Sequence, residues 1–192
     1  MKDIQDTWAK KAKQEGYRSR ASYKLIQINE THKFIEQADL ILELGSAPGG
    51  WSQVIKRKKK AQTKCLAIDL LEMEGVDEID FYKMDLYSDE FTKLLKTLNK
   101  KTDLILSDMS VNLSGIKLVD DESNLDLNLF CLDLSKQILS SKGTLLIKTF
   151  SNANLKKLKK AFSENFEKVI MEKPPASKTS SAEVYLLGLV PK

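Results

Sequence analysis

Two ionisable residues stand at the ends of otherwise apolar runs. Asp108 closes DLILSD (103–108), and Lys148 interrupts LLIKTF (145–150). Lysine is rare at the buried end of an apolar strand unless it is paired. A lysine and an aspartate at one sheet edge can orient an incoming hydroxyl and take its proton, or form a purely structural ion pair. Upstream lies ELGSAPGGW (43–51), where Gly45 permits a tight exit from a strand and Gly49 and Gly50 let a ligand approach the backbone. Its spacing is neither the G-x-G-x-x-G of dinucleotide sites nor the G-K-[ST] of a P-loop, so it suits a nucleoside lacking phosphates. Asp69 follows about 20 residues later, where a carboxylate can accept both ribose hydroxyls. Asp85 closes FYKMD (81–85), where a carboxylate can accept from an adenine amino group. Each acid alone reads as a solvated strand end. Three such features at successive strand ends favour a nucleoside cofactor, with S-adenosylmethionine (SAM) first among candidates.

These residues need elements to hold them. LILEL (40–44), CLAID (65–69), FYKMD, DLILSD and GTLLIKT (143–149) read as strands. Helical patterns at 21–31, 49–58, 89–98, 124–139 and 154–165 alternate with them. The chain closes on EKVIMEK (167–173) and EVYLLGLV (183–190), too close together for an intervening helix and so expected to pair antiparallel. The pattern predicts an α/β fold: a seven-stranded, mainly parallel sheet with a C-terminal antiparallel hairpin and helices on both faces. That is the arrangement of a Rossmann-like class I methyltransferase. In such a sheet, ligands bind beyond the carboxyl ends of the strands.

The 192 residues suit one domain, 42% hydrophobic and 30% charged. No apolar run reaches the roughly 18 residues of a membrane span, and the start lacks the apolar stretch of a signal peptide. Cys65 and Cys131 make neither a disulfide framework nor a zinc-ligand spacing. A cytoplasmic setting, no metal and a monomer are expected. The net charge of +4 is carried entirely by residues 1–24, with seven basic and three acidic side chains. This predicts a basic arm (1–24) that binds RNA, joined to a domain over 25–192. Lys10, Lys11, Lys13, Arg18 and Arg20 are the candidate phosphate contacts, and Tyr17 and Tyr23 could stack on unpaired bases or pack the arm. The runs KRKKK (56–60) and KKLKK (156–160) read as solvated helix faces. His32 is expected to be structural, and Trp8 is a candidate anchor for the arm.

With these residues assembled, the chain resembles the FtsJ/RrmJ family of ribose 2′-O-methyltransferases from about residue 15 to 191. EGYRSRASYKL (15–25), ELGSAPGGWSQ (43–53), AIDLLEM (67–73), SDMSVNLSG (107–115), LLIKTF and KPPASKTSSAEVY (173–185) occur in the family's order. The resemblance implies a Lys-Asp-Lys-Glu tetrad at Lys24, Asp108, Lys148 and Glu183. It also implies that Gly49, Trp51, Asp69, Asp85 and Asp108 line a SAM pocket, joining Gly45 and Gly50. Glu43 stands where the family has aspartate, Val111 where it commonly has proline, and Gly143 lacks a second glycine beside it. The implied activity is SAM-dependent 2′-O-methylation of a ribose in RNA, first of all a uridine of large-subunit ribosomal RNA. The alternatives are a tRNA ribose 2′-O-methyltransferase and a non-catalytic RNA-binding assembly factor.

Overall fold

Alternating apolar residues decide which side of the sheet each strand serves. The structure, a computed structural model, describes residues 3–98, 101–112, 114–178 and 180–192. Lys2, counted in the basic arm, and Leu113 and Thr179, within two of the motifs, lie outside the described residues. Strands β1 (Leu40–Leu44), β2 (Lys64–Asp69), β3 (Asp80–Lys83), β4 (Thr102–Ser107), β5 (Leu139–Phe150), β6 (Phe166–Glu172) and β7 (Glu183–Pro191) form one sheet. Its order is β3-β2-β1-β4-β5-β7-β6. Strands β3 to β5 along that order pair in parallel. The antiparallel β6–β7 pair is present, but β7 also lies against β5 and is antiparallel to both neighbours. It is therefore the one reversed strand, inserted between β5 and β6.

Helices α1 (Asp3–Gln14), α2 (Ala21–His32), α3 (Phe34–Gln37), α4 (Gly50–Lys58), α5 (Asp89–Lys96), α6 (Lys117–Ile138) and α7 (Leu155–Asn165) complete the chain. On one face, Ile41, Ala67, Leu104, Leu106, Leu146 and Leu187 pack with Leu25 and Ile28 of α2 and Val54 and Ile55 of α4. On the other, Leu42, Leu44, Ile68, Ile105, Leu145 and Ile147 meet Phe91 of α5, Leu125 and Leu132 of α6, and Phe162 of α7. Strands buried on both faces read as continuous apolar runs, which is why LILEL looked uniformly apolar. Glu43, on the α2/α4 face of β1, is the exception at 1% exposure.

Helix α6 starts seven residues earlier than the pattern predicts. Its first two turns expose Leu118 and Val119, so they carry no periodic apolar face for sequence to reveal. Strand β5 likewise begins at Leu139, ahead of the apolar run. Helix α1 docks through a small cluster in which Ala12, Tyr23 and Ala176 are buried and Trp8 and Tyr17 are partly buried. Trp8 and Tyr23 ring centroids lie 4.9 Å apart, so Trp8 does anchor the arm. His32 ties α2 to β6, with Nε2 2.7 Å from Glu172 Oε1.

Candidate active site

The carboxyl ends of β1, β2 and β4, with the turn after β3, surround a cavity of about 470 Å³. Gly45, Asp69, Asp85 and Asp108 all line it. Asp69 Oδ2 accepts the Ala47 N–H at 2.8 Å and Oδ1 the Leu71 N–H at 2.8 Å, which fixes the carboxylate at the mouth of β2. Asp85 Oδ1 accepts the Tyr87 N–H at 2.9 Å. Each carboxylate oxygen has two lone pairs, so both acids retain acceptor capacity for ligand hydroxyl or amino groups. Leu70, Leu71 and Tyr87, more than 60% exposed, also line the cavity and offer a flat base an apolar surface. This combination of paired acceptors and exposed apolar surface fits an adenosine moiety.

Gly49, Gly50 and Trp51 contribute differently from the expectation. None of the three lines the cavity. A Cβ on Gly49 (φ +101°) would lie 2.6 Å from Arg18 Nη1, and one on Gly50 2.4 Å from Ser19 Oγ. Both glycines thus make room for the chain's own residues 18–22. The Trp51 side chain is buried, and Nε1 donates to the Ala21 carbonyl at 2.9 Å. What these positions can still offer a ligand is backbone: the first N–H groups of α4, which have no intrahelical acceptor.

Beside the cavity, four charged residues form two ion pairs. Lys24 Nζ lies 2.6 Å from Glu183 Oε1 and 2.8 Å from Oε2. Lys148 Nζ donates to the Asp108 carbonyl at 2.5 Å and lies 3.3 Å from its Oδ1. The reversal of β7 explains the convergence: its first residue reaches the sheet edge where the parallel strands end. Lys148 pairs in register with Tyr185, and Phe150 with Glu183. Helix α2 then delivers Lys24 from the opposite end of the chain.

Tyr185 is the residue that sequence reasoning missed. Its buried hydroxyl lies 3.1 Å from Asp108 Oδ1 and 3.4 Å from Glu183 Oε1, so it sits between the two pairs and can donate its one proton to either. Burial, then the charges of Asp108 and Glu183, push this phenol well above its ordinary value and keep it a donor. The available signal was the alternation in EVY, since residues two apart share a strand face. Burial also raises Asp108, outweighing the opposite pull of Lys148 and Lys24. Burial acts upward on Glu183 too, but there the Lys24 ion pair and the Ser177 hydroxyl (3.0 Å) prevail, and the carboxyl is held low.

Glu43, which the sequence marks as a departure from the family's aspartate, is placed away from the ligand cavity. It turns under α4, where Oε2 accepts the Ser52 hydroxyl at 2.5 Å. Burial pushes its carboxyl up to about 8; the Ser52 hydroxyl opposes the rise and Asp108 adds to it.

The arm residues divide. Lys13 and Arg20 line a second hollow beside α1, and Lys10 and Lys13 are exposed. Two predicted phosphate contacts are instead engaged within the protein. Lys11 Nζ sits 5.4 and 5.0 Å from the Trp8 and Tyr23 ring centroids and 3.9 Å from Glu15 Oε1. Arg18 donates to backbone carbonyls of Pro48, Glu74 and Gly75. Tyr23 packs into the arm cluster, and Tyr17 lies beneath the Arg57 guanidinium at 4.1 Å, so neither is an open stacking platform. Lys56, Lys59 and Lys60 in the first lysine run pair with Asp77, Glu78 and Asp39, while Lys156, Lys157 and Lys159 in the second are exposed. Among the described residues, no group of three or more His, Cys, Asp or Glu could hold a metal ion. No helix there is long and apolar enough to cross a membrane.

A doubly wound sheet with a nucleoside-shaped cavity at its switch point and ionisable side chains beside it defines a class I methyltransferase. The profile of the FtsJ-like methyltransferases matches residues 17–190, and the chain belongs to that family. It is 39% identical over 188 residues to the ribosomal RNA large subunit methyltransferase E of Methylobacillus flagellatus, covering 97% of this chain and 91% of that protein. The enzyme of the same description from Pseudomonas fluorescens is 40% identical over 185 residues, covering 95% and 88%. Among solved structures, a ribosomal RNA methyltransferase from Plasmodium falciparum superposes with a TM-score of 0.78 at 30% identity, covering 91% of this chain and 98% of that one. The protein is an enzyme that transfers a methyl group from SAM.

Proposed function

We propose that this protein methylates the 2′-hydroxyl of a ribose in large-subunit ribosomal RNA, a uridine first of all, and that it works in the cytoplasm as a monomer. The observation that carries the reading is the pair of ion pairs, Lys24–Glu183 and Lys148–Asp108, beside the cavity. The names of the similar proteins support the substrate class.

SAM supplies, when bound, a methyl group already activated on a sulfonium. The protein must bring the ribose hydroxyl into line with it and manage one proton. Asp69 and Asp85 are suited to the ribose and adenine edges, and the N–H groups of Gly50 and Trp51 to the carboxylate of the amino-acid end. A lysine nitrogen has three bonding positions beyond its carbon; Lys148 directs two toward Asp108, leaving the third for the hydroxyl. From there it takes up the proton as general base, or stabilises negative charge developing on the oxygen. Asp108 and Tyr185 hold Lys148 in place, while Lys24 and Glu183 position the nucleotide. Lys10, Lys13 and Arg20 are the arm residues suited to bind phosphates.

The test is methylation with labelled SAM of isolated tRNA, naked ribosomal RNA and assembled large subunits. Label in ribosomal RNA, located on a ribose oxygen, is expected. Strong labelling of tRNA alone would overturn the substrate assignment.

A further inference from the structure

The contacts of Arg18 extend beyond the arm. Its guanidinium forks across two loops, with Nη1 donating to the Pro48 carbonyl at 3.3 Å and Nη2 to the Gly75 carbonyl at 2.7 Å. Nη1 also donates to the Glu74 carbonyl, and Nη2 lies 3.5 Å from Glu74 Oε2. Its own N–H donates to Gln53 Oε1 at 2.8 Å, while Gln53 Nε2 returns a bond to the Gly16 carbonyl at 2.9 Å. Next to it, Ser22 Oγ donates to the Gly50 carbonyl at 2.9 Å. Pro48 to Gln53 contain the glycine loop and the start of α4. Glu74 and Gly75 belong to the connection from β2 to β3, which begins with the cavity residues Leu70 and Leu71.

We propose that Arg18 is a positioning residue for the methyl donor: it clasps the glycine loop to the β2–β3 connection, so that docking of the basic arm sets donor affinity. The proposal rests on reading the 470 Å³ cavity as the donor site. Three features favour a clasp over a phosphate contact. Nη1 and Nη2 are both directed at backbone carbonyls, and the side chain is only 20% exposed. Gly49 has no side chain where Arg18 crosses it, which leaves the guanidinium room to reach both loops. A lysine could not replace it, because one ammonium centre cannot span carbonyls on two loops in the way a planar fork does.

The experiment compares the full-length wild type with Arg18→Ala, Arg18→Lys and Lys13→Ala. SAM binding is titrated without RNA, and hydrogen exchange is followed by peptide. In Arg18→Ala, SAM affinity falls about tenfold, the effect of losing one charge-assisted bond, and exchange rises locally over residues 70–79 and 45–50. Arg18→Lys recovers only part of the loss. The KM for SAM rises in both while kcat at saturating SAM stays near wild type. Lys13→Ala weakens RNA binding and leaves SAM affinity unchanged. SAM affinity in Arg18→Ala within twofold of wild type, with local exchange unaltered, would overturn the clasp. A uniform rise in exchange along the chain would overturn it too, making Arg18 a general stability residue. If the wild type failed to bind SAM, the cavity assignment would fall, and the exchange pattern would still decide whether Arg18 holds the two loops.

Discussion

Replacing Glu43 with glutamine removes one titration from the core while keeping the shape of the side chain. The buried carboxyl is raised from 4.5 to about 8, so the folded chain keeps its proton over a range in which the unfolded chain has released it. The unfolded state therefore gains on the folded state as pH rises through this window. The stability that Glu43 allows is full below pH 4.5 and is lost progressively up to about pH 8. Each pH unit inside the window costs about 1.4 kcal/mol, so the wild type should lose roughly 2.5 kcal/mol from this group between pH 5 and pH 7. That is a large share of the 5–15 kcal/mol typical of a domain. Glu43→Gln lacks this slope. Exchanging a hydroxyl for an amide adds an offset, but the offset does not vary with pH. Asp108, Asp69 and Cys65 lie close enough to interact with Glu43, so the pH slope of the difference belongs to Glu43 together with its coupling to these neighbours. The assay is urea denaturation of both proteins at pH 5, 6, 7 and 8. The variant should gain on the wild type by roughly 2–3 kcal/mol between pH 5 and 7. A stability difference that stays constant with pH would mean that Glu43 titrates alike in both states and would refute the reasoning.

Three further outcomes are expected. Lys148→Ala should reduce single-turnover methyl transfer by about 100-fold or more while leaving SAM affinity within a few fold; near-normal transfer would remove Lys148 from the chemistry. Asp69→Asn should weaken SAM binding about tenfold and weaken an analogue lacking the ribose hydroxyls much less; equal losses would show that Asp69 does not contact the ribose. Raising salt from 50 to 200 mM should lower RNA affinity about twentyfold to fortyfold for roughly three phosphate contacts, with little change in SAM affinity. Equal salt sensitivity of the two ligands would contradict the division between arm and cavity.

The strands and the cavity acids were legible because their signals are local. LILEL and CLAID are short apolar runs ending in glycine or aspartate, and a strand end in a parallel sheet is already a statement about position. The helix α6 start was illegible for the opposite reason: its first turns face solvent and obey no apolar period. The glycine loop was half-read. Its glycines mark close approach, but sequence cannot show that the approaching group at Gly49 and Gly50 is the chain's own Arg18 and Ser19. Lys11 and Arg18 count as free charges in composition, whereas structure assigns them ring faces and carbonyls. Tyr185 was hidden in an apolar run, and its role depends on a cross-strand register no local pattern encodes.

The reversed β7 has a consequence in time as well as space. Every residue lining the cavity precedes residue 128, so all of them are synthesised before β5 begins. The Lys24–Glu183 ion pair spans 159 positions and closes only when β7 slots between β5 and β6. The proposed active-site cluster is therefore completed by a strand made well after the cavity residues.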